Sequence, residues 1–166
     1  MPAGATNSDT TELWDAVRFR NPFPFPMTTG PTLVVEDGRF IGKRTTQWVN
    51  PGNESLAYVT KTLSVPGRTE EVEVAEREAV TRGRQNFFRS TLDGTLTILN
   101  LRKEAVNMVI RKELAGDIVR VDGNPGQVVG AAGPGQLNPS TELTWRITVA
   151  ADETKSISYR YTFLSN

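Results

Sequence analysis

The 166-residue chain contains no histidine and no cysteine. Without cysteine there is no disulfide framework, no thiolate nucleophile and no zinc site with sulfur ligands. Without histidine there is no Ser-His-Asp triad, no Cys-His dyad and no imidazole metal ligand. Any chemistry would have to come from carboxylates, Lys, Tyr or Ser/Thr. Surplus charge is lacking too, because 19 Lys and Arg stand against 19 Asp and Glu. That balance removes the excess of phosphate-neutralising side chains on which non-specific nucleic-acid binding depends. No apolar run approaches the ~20 residues of a membrane span. The opening MPAGATNSDTTE has no apolar core of a signal peptide and reads as a flexible lead-in over residues 1–12, with room for an export signal upstream.

What the chain does have is β-branched side chains. Thr, Val and Ile make up a quarter of it, and these residues fit a pleated surface better than a helix. Fourteen Gly and ten Pro punctuate short alternating runs. LWDAVRFR (13–20) alternates and ends at Asn21. NPFPFPMTTGP follows as an extended connection, since each proline removes a backbone donor. TLVVEDGRFIGK is a hairpin around Asp37-Gly38, a pair suited to the positive φ angles of a tight turn. TTQWV (45–49) and SLAYVTKTLSV (55–65) are expected strands. In EEVEVAEREAV the alternation of Val72 and Val74 with Glu favours an exposed edge strand over helical turns at 75–80. TRGRQ is a polar break and marks the candidate boundary. Strands are expected again at 95–101, 106–114 and 117–121, followed by a long Gly/Pro-rich loop from Asp122 to Ser140. Two well-phased strands joined by the ADETK turn close the chain, one carrying Leu143, Trp145, Ile147 and Val149, the other Ile157, Tyr159, Tyr161 and Phe163.

The acidic run Glu70, Glu71, Glu73, Glu76 and Glu78 invites comparison with a glycosidase carboxylate pair. Glu71 and Glu73 on one strand face would lie about 7 Å apart. A run of like charge is more simply a charged edge that deters strand pairing. DGNPG at Asp122 lacks the alternating acids and closing Glu of a calcium loop, and GPG at 133–135 lacks the Lys-Ser/Thr of a phosphate loop; both read as turns. Asn53-Glu54-Ser55 is a sequon of the kind that arises by chance. Arg82, Arg84 and Arg89 form a small basic group balanced by the acids before it. Phe87-Phe88 should place one ring inward and one over an edge, and Trp145 belongs to the core by phase. No catalytic residue, metal ligand or cofactor site emerges. The binding candidates are aromatic: Phe23 and Phe25 alternating with proline, with Trp48 and Tyr58 on nearby strands. They could anchor a protein partner or stack on a sugar, or could plug the open edge of a sandwich.

AVRFRNPFPFPMTTGPTLVV and LTILNLRKEAVNMVI share the order strand, Asn, turn, strand, with Asn21 and Asn100 where a strand ends and local backbone needs a partner. Two similar sandwich halves, or two successive sandwiches, would produce this echo. The same residues carry a wider resemblance. VRFRNPFPFPMTTGP, VVEDGRFIGK, TLTILNLRKEAV and LTWRITVAADETKSISYRYTF, taken in order, resemble the C-terminal domain of unknown function in bacterial mucoidy inhibitor A-like proteins. The positions concerned are Asn21, Thr29, Gly30 and Pro31, then Asp37 and Gly38, then Asn100, Trp145, Glu153, Thr154 and Lys155.

The resemblance covers the chain from about Leu13 onward and implies an immunoglobulin-like antiparallel β-sandwich. That family carries an N-terminal β region and a coiled coil before this domain, so the chain looks like a C-terminal portion. It brings no catalytic residues with it. The expected organisation is a first β sublobe at 13–80 and an immunoglobulin-like sandwich at 81–166, with one continuous sandwich over 13–166 as the alternative. The expected role is a non-catalytic interaction or scaffolding module of a larger bacterial, envelope-associated protein, exported or periplasmic. Its partner would be a protein or the coiled-coil region. A carbohydrate-binding module using the exposed aromatics is the alternative.

Overall fold

Alternating β-branched runs separated by Gly and Pro should give strands without helices. The computed structural model is accordingly all-β and antiparallel, with no helix among the residues it describes, 6–74, 77–130, 133 and 136–166. In chain order the strands are β1 (Thr6–Thr11), β2 (Trp14–Arg20), β3 (Gly30–Glu36), β4 (Arg39–Thr46), β5 (Glu54–Lys61), β6 (Gly67–Glu73) and β7 (Glu78–Arg82), then β8 (Gln85–Leu99), β9 (Val106–Ala115), β10 (Asp117–Val121), β11 (Gly126–Gly130), β12 (Ser140–Val149) and β13 (Thr154–Ser165). They fall into two compact units. Glu12–Leu63 holds β2 to β5, and Met1–Thr11 with Ser64–Asn166 holds the rest.

The larger unit has one sheet in the order β1-β6-β8-β13-β10, with β7 also pairing to β8, and a second in the order β11-β12-β9. Leu96 and Ile98 on β8, Leu143, Trp145 and Val149 on β12, and Ile157 and Tyr159 on β13 are buried, following the period-2 phase of each strand. The indole of Trp145 satisfies its one donor on the Asp122 carbonyl at 2.8 Å. A polar clamp joins the two sheets. Glu71, Gly94 and Tyr159 are cross-strand neighbours on β6, β8 and β13. A Cβ at position 94 would sit 2.1 Å from the Tyr159 ring, so glycine is what lets the ring lie across β8. The Tyr159 hydroxyl then donates to Glu71 Oε1 at 2.6 Å, and Lys112 Nζ from β9 reaches the same oxygen at 3.0 Å.

The smaller unit has two two-stranded sheets, β2-β5 and β3-β4. The expected hairpin is present: Asp37 and Gly38 take φ of 48° and 76° between β3 and β4. Val49, Ala57 and Val59 are its buried apolar residues.

The sequence echo corresponds to a repeated frame. Asn21 follows β2 as Asn100 follows β8, and β2 pairs β5 as β8 pairs β13, with Arg20 opposite Glu54 and Leu99 opposite Thr154. In each unit the Asn amide donates four residues ahead, to the Phe25 or Glu104 carbonyl, and across to the Val49 or Val149 carbonyl. In each, the Asn Oδ1 accepts the backbone N–H two residues on, from Phe23 or Arg102, at 3.0 Å. The backbone N–H of each Asn is received by the turn before the final strand, at Asn53 O or Glu153 O. Both turns hold one residue at positive φ, Gly52 and Asp152. Val49 bridges Met27 as Val149 pairs with Val106.

Several expectations need correction. Of the lead-in, residues 6–11 form β1 against β6; a Thr-rich strand has no apolar alternation to reveal it, but its backbone pairs as well as any. Residues 1–5 lie outside the described part. The TRGRQ break is the β7–β8 turn, with Gly83 at φ 63°, and the units part at 12 and 63 rather than at 80–81. The larger unit is therefore discontinuous in sequence, and no composition shift marks its two crossings. The acidic β6 is no edge strand, since it lies between β1 and β8. β4 ends at Thr46, so that of TTQWV only Val49 pairs further, and β5 ends at Lys61 instead of Val65. The loop after Asp122 contains β11, paired to β12. Strands β12 and β13 do not pair with each other; the turn between them carries the chain from one sheet to the other.

Candidate functional site

The aromatic candidates separate into two groups within the 12–63 unit. Phe23 and Phe25 sit in a loop whose φ angles are restricted at Pro22, Pro24 and Pro26. Asn21, itself buried, closes that loop. Its Nδ2 donates to the Phe25 and Val49 carbonyls, both at 2.9 Å, and its Oδ1 accepts the Phe23 N–H at 3.0 Å. Its backbone is bonded on both sides, to Asn53 O and from the Gly52 N–H, and Arg20 Nε donates to Gly52 O at 2.6 Å. The loop is thus tied to the 50–53 turn at one end of the unit. On it the two phenyl rings stack at 8° with centroids 5.2 Å apart, while remaining 48% and 57% exposed. Trp48 lies beside Val49, the residue that Asn21 grips. Its ring is 58% exposed, and its Nε1 donates to Asn50 Oδ1 at 3.0 Å.

Tyr58 is not part of this end. It lies opposite Ala16 on the β2-β5 ladder, roughly 15 Å of strand away from Asn21. Its neighbour is Trp14, edge-on at 6.5 Å. The Arg44 guanidinium stands 4.4 Å over the Trp14 ring and Lys61 Nζ is 5.7 Å from its centroid. Sequence reasoning passed over Trp14. It opens an alternating run, but the cations that cover it come from β4 and β5, and only the tertiary fold brings them there.

The acidic candidates are taken up by separate partners. Glu71 receives Tyr159, Lys112 and, at 3.4 Å on Oε2, Tyr161. Burial pushes the Tyr159 hydroxyl well above the ordinary tyrosine range and Tyr161 up to about 12, with the Glu71 charge and hydrogen bonds adding to both. These hydroxyls remain protonated donors at neutral pH. Glu73 is held by Arg77 Nε at 3.0 Å, and that hydrogen bond lowers its pKa. Ala75 and Glu76 lie outside the described residues, as do Pro134 and Gly135 of the GPG segment. Asp122-Gly123-Asn124 is a turn, with Gly123 and Asn124 at positive φ. Among the basic candidates, Arg89 pairs with Glu78 at 3.1 Å and Arg82 reaches the Leu137 carbonyl at 3.4 Å. Phe87 is buried and Phe88 exposed.

Among the described residues no three acidic side chains gather as a metal site would require, and no helix is long and apolar enough to cross a membrane. Phe23 and Phe25 are thus an exposed, stacked apolar pair on a loop whose backbone is hydrogen-bonded to Asn21. Comparison with known protein families, curated proteins and solved structures gives no match.

Proposed function

We propose that the chain is a non-catalytic β-sandwich module making protein contacts for a larger bacterial, envelope-associated protein, with the Phe23–Phe25 loop as its contact surface. The observation that carries this reading is the stacked, half-exposed phenyl pair on a loop pinned by a buried Asn. Apolar rings held in water gain roughly 25 cal/mol per Å² when a partner covers them. A loop ordered in advance loses less entropy on binding. Trp48 supplies the kind of aromatic anchor on which interface energy concentrates. The resemblance to the C-terminal domain of mucoidy inhibitor A-like proteins supports the same reading, including its immunoglobulin-like sandwich. It also makes the coiled-coil region of such proteins a natural partner.

A carbohydrate-binding module is the second reading, favoured by the near-parallel, solvent-exposed rings. Against it, each phenyl covers one face of the other, which leaves only the outer faces for a sugar. Affinity capture from native bacterial lysate, with a glycan array in parallel, separates the two. The full chain and its Phe23→Ala/Phe25→Ala variant serve as baits, with circular dichroism confirming that both are folded. A protein retained by the first and lost by the second is the expected result. Glycan binding lost in the variant would move the conclusion to the second reading, and equal capture by both baits would remove the loop as a contact surface.

A further inference from the structure

The repeated frame shows what the smaller unit lacks. In the larger unit the edge of β8 away from β13 is taken by β6, paired from Gly67 opposite Ile98 to Glu73 opposite Leu92. The counterpart of β8 is β2, and among the described strands β2 hydrogen-bonds to β5 alone. Burial follows the same division. Leu96 opposite Ile157 is 4% exposed, whereas its counterpart Val17, opposite Ala57, is 47% exposed. Ile98 is fully buried and its counterpart Phe19 only half-buried.

We propose that the open edge of β2 is an acceptor for an extended strand of a partner protein, added antiparallel as β6 is added to β8. The charges on β2 select its chemistry. Arg18 and Arg20 share the exposed face of the strand with Ala16, and Val17 and Phe19 share the other. Arg18 reaches Glu54 only at 3.8 Å, with both side chains mostly in water. A matching strand alternates acidic residues, placed opposite Arg18 and Arg20, with β-branched apolar residues that extend the surface over Val17. The strand that fills this position in the larger unit is itself acidic, with Glu70, Glu71 and Glu73. The β2 edge and the Phe23–Phe25 loop are different surfaces, so this inference stands or falls apart from the function proposed above.

The test titrates the full chain with a synthetic peptide of alternating glutamate and valine, as long as β2, and follows backbone amide exchange by NMR. The expected result is saturable protection confined to residues 15–20. Arg18→Glu should weaken it about threefold, through a lost cross-strand pair, with Arg20 left in place because it donates to Gly52 O at the corner. A lysine–valine peptide should bind the unmodified chain as weakly, which covers the case of a poorly folded variant. A peptide N-methylated along one edge should not bind, because strand addition uses backbone donors. Protection that maps elsewhere, undiminished binding of the N-methylated peptide, or no binding at about 1 mM peptide would each overturn the proposal. So would protection of β2 without peptide that rises with protein concentration, since the occupant would then be a second copy.

Discussion

In the larger unit the β8-β13 pair is flanked on both sides, by β6 and by β10, whereas among the described strands the β2-β5 pair of the smaller unit has no flanking strand. Both pairs meet at the same Asn-centred corner. The corner thus recurs at the end of a like two-stranded ladder, and what differs is the strands that flank that ladder. Of the sixteen buried apolar residues among those described, only Val49, Ala57 and Val59 belong to the smaller unit, although it supplies ten of the seventeen exposed large ones. One frame has been completed as a scaffold. The other keeps its apolar surface outward, which is where both proposed contacts lie.

The sharpest way to break this comparison is to truncate the same frame position in both units. Leu96→Ala should destabilise the larger unit by about 2–5 kcal/mol, because it opens a cavity in a closed core. Val17→Ala should cost about 0.5–1 kcal/mol, since half of that side chain already meets water. Urea denaturation resolved by residue-level amide exchange measures both. Equal costs would mean that the frame is no more closed in one unit than in the other.

A smaller effect tests the shared corner. Asn100→Ala and Asn21→Ala each strand the carbonyls and the N–H that the side chain served, at about 1–3 kcal/mol apiece. The same measurement should give costs that agree within about 1 kcal/mol, each confined to its own unit. A corner that matters in only one unit would show the repeat to be geometric coincidence.

The smallest and most conditional effect concerns alkali. Tyr159 and Tyr161 are protonated in the fold at a pH where an unfolded tyrosine ionises, because burial and Glu71 raise their pKa. The contribution of Tyr161 to stability is complete below about pH 10 and is lost as pH rises through about 12, while that of Tyr159, whose hydroxyl is pushed up further by burial, outlasts it. Glu71 and Lys112 face the same hydroxyls, Lys112 through its ion pair with Glu71. Denaturation midpoints of the larger unit should hold up to pH 10 and then fall. In Tyr161→Phe the fall should be shallower, and an unchanged slope would detach Tyr161 from it.

How far the sequence could be read depended on the kind of signal. Alternation placed β2, β9, β12 and β13 within a residue or two, since a buried strand face imposes period 2 on its side chains. Asp37-Gly38 placed a turn because few residue pairs tolerate its φ angles. β1 and β11 escaped notice, one a Thr-rich run without apolar alternation and one a fully exposed GQVVG segment inside a Gly/Pro-rich stretch. The separation of Tyr58 from Phe23, Phe25 and Trp48 was invisible for a related reason, because residue type says nothing about position along a ladder.

By itself the sequence determined the absence of thiol and imidazole chemistry, the all-β class and the two Asn corners. These follow from side-chain inventory, β-branching and local hydrogen-bond capacity, which are properties of single residues and near neighbours. The tertiary structure alone decided that residues 12–63 interrupt the larger unit and that β6 is interior. It also decided that Tyr159 crosses Gly94 to reach Glu71, and that one of two like frames is left open. Each of these depends on which distant backbones pair, and backbone pairing uses the same N–H and C=O groups whatever the side chains are.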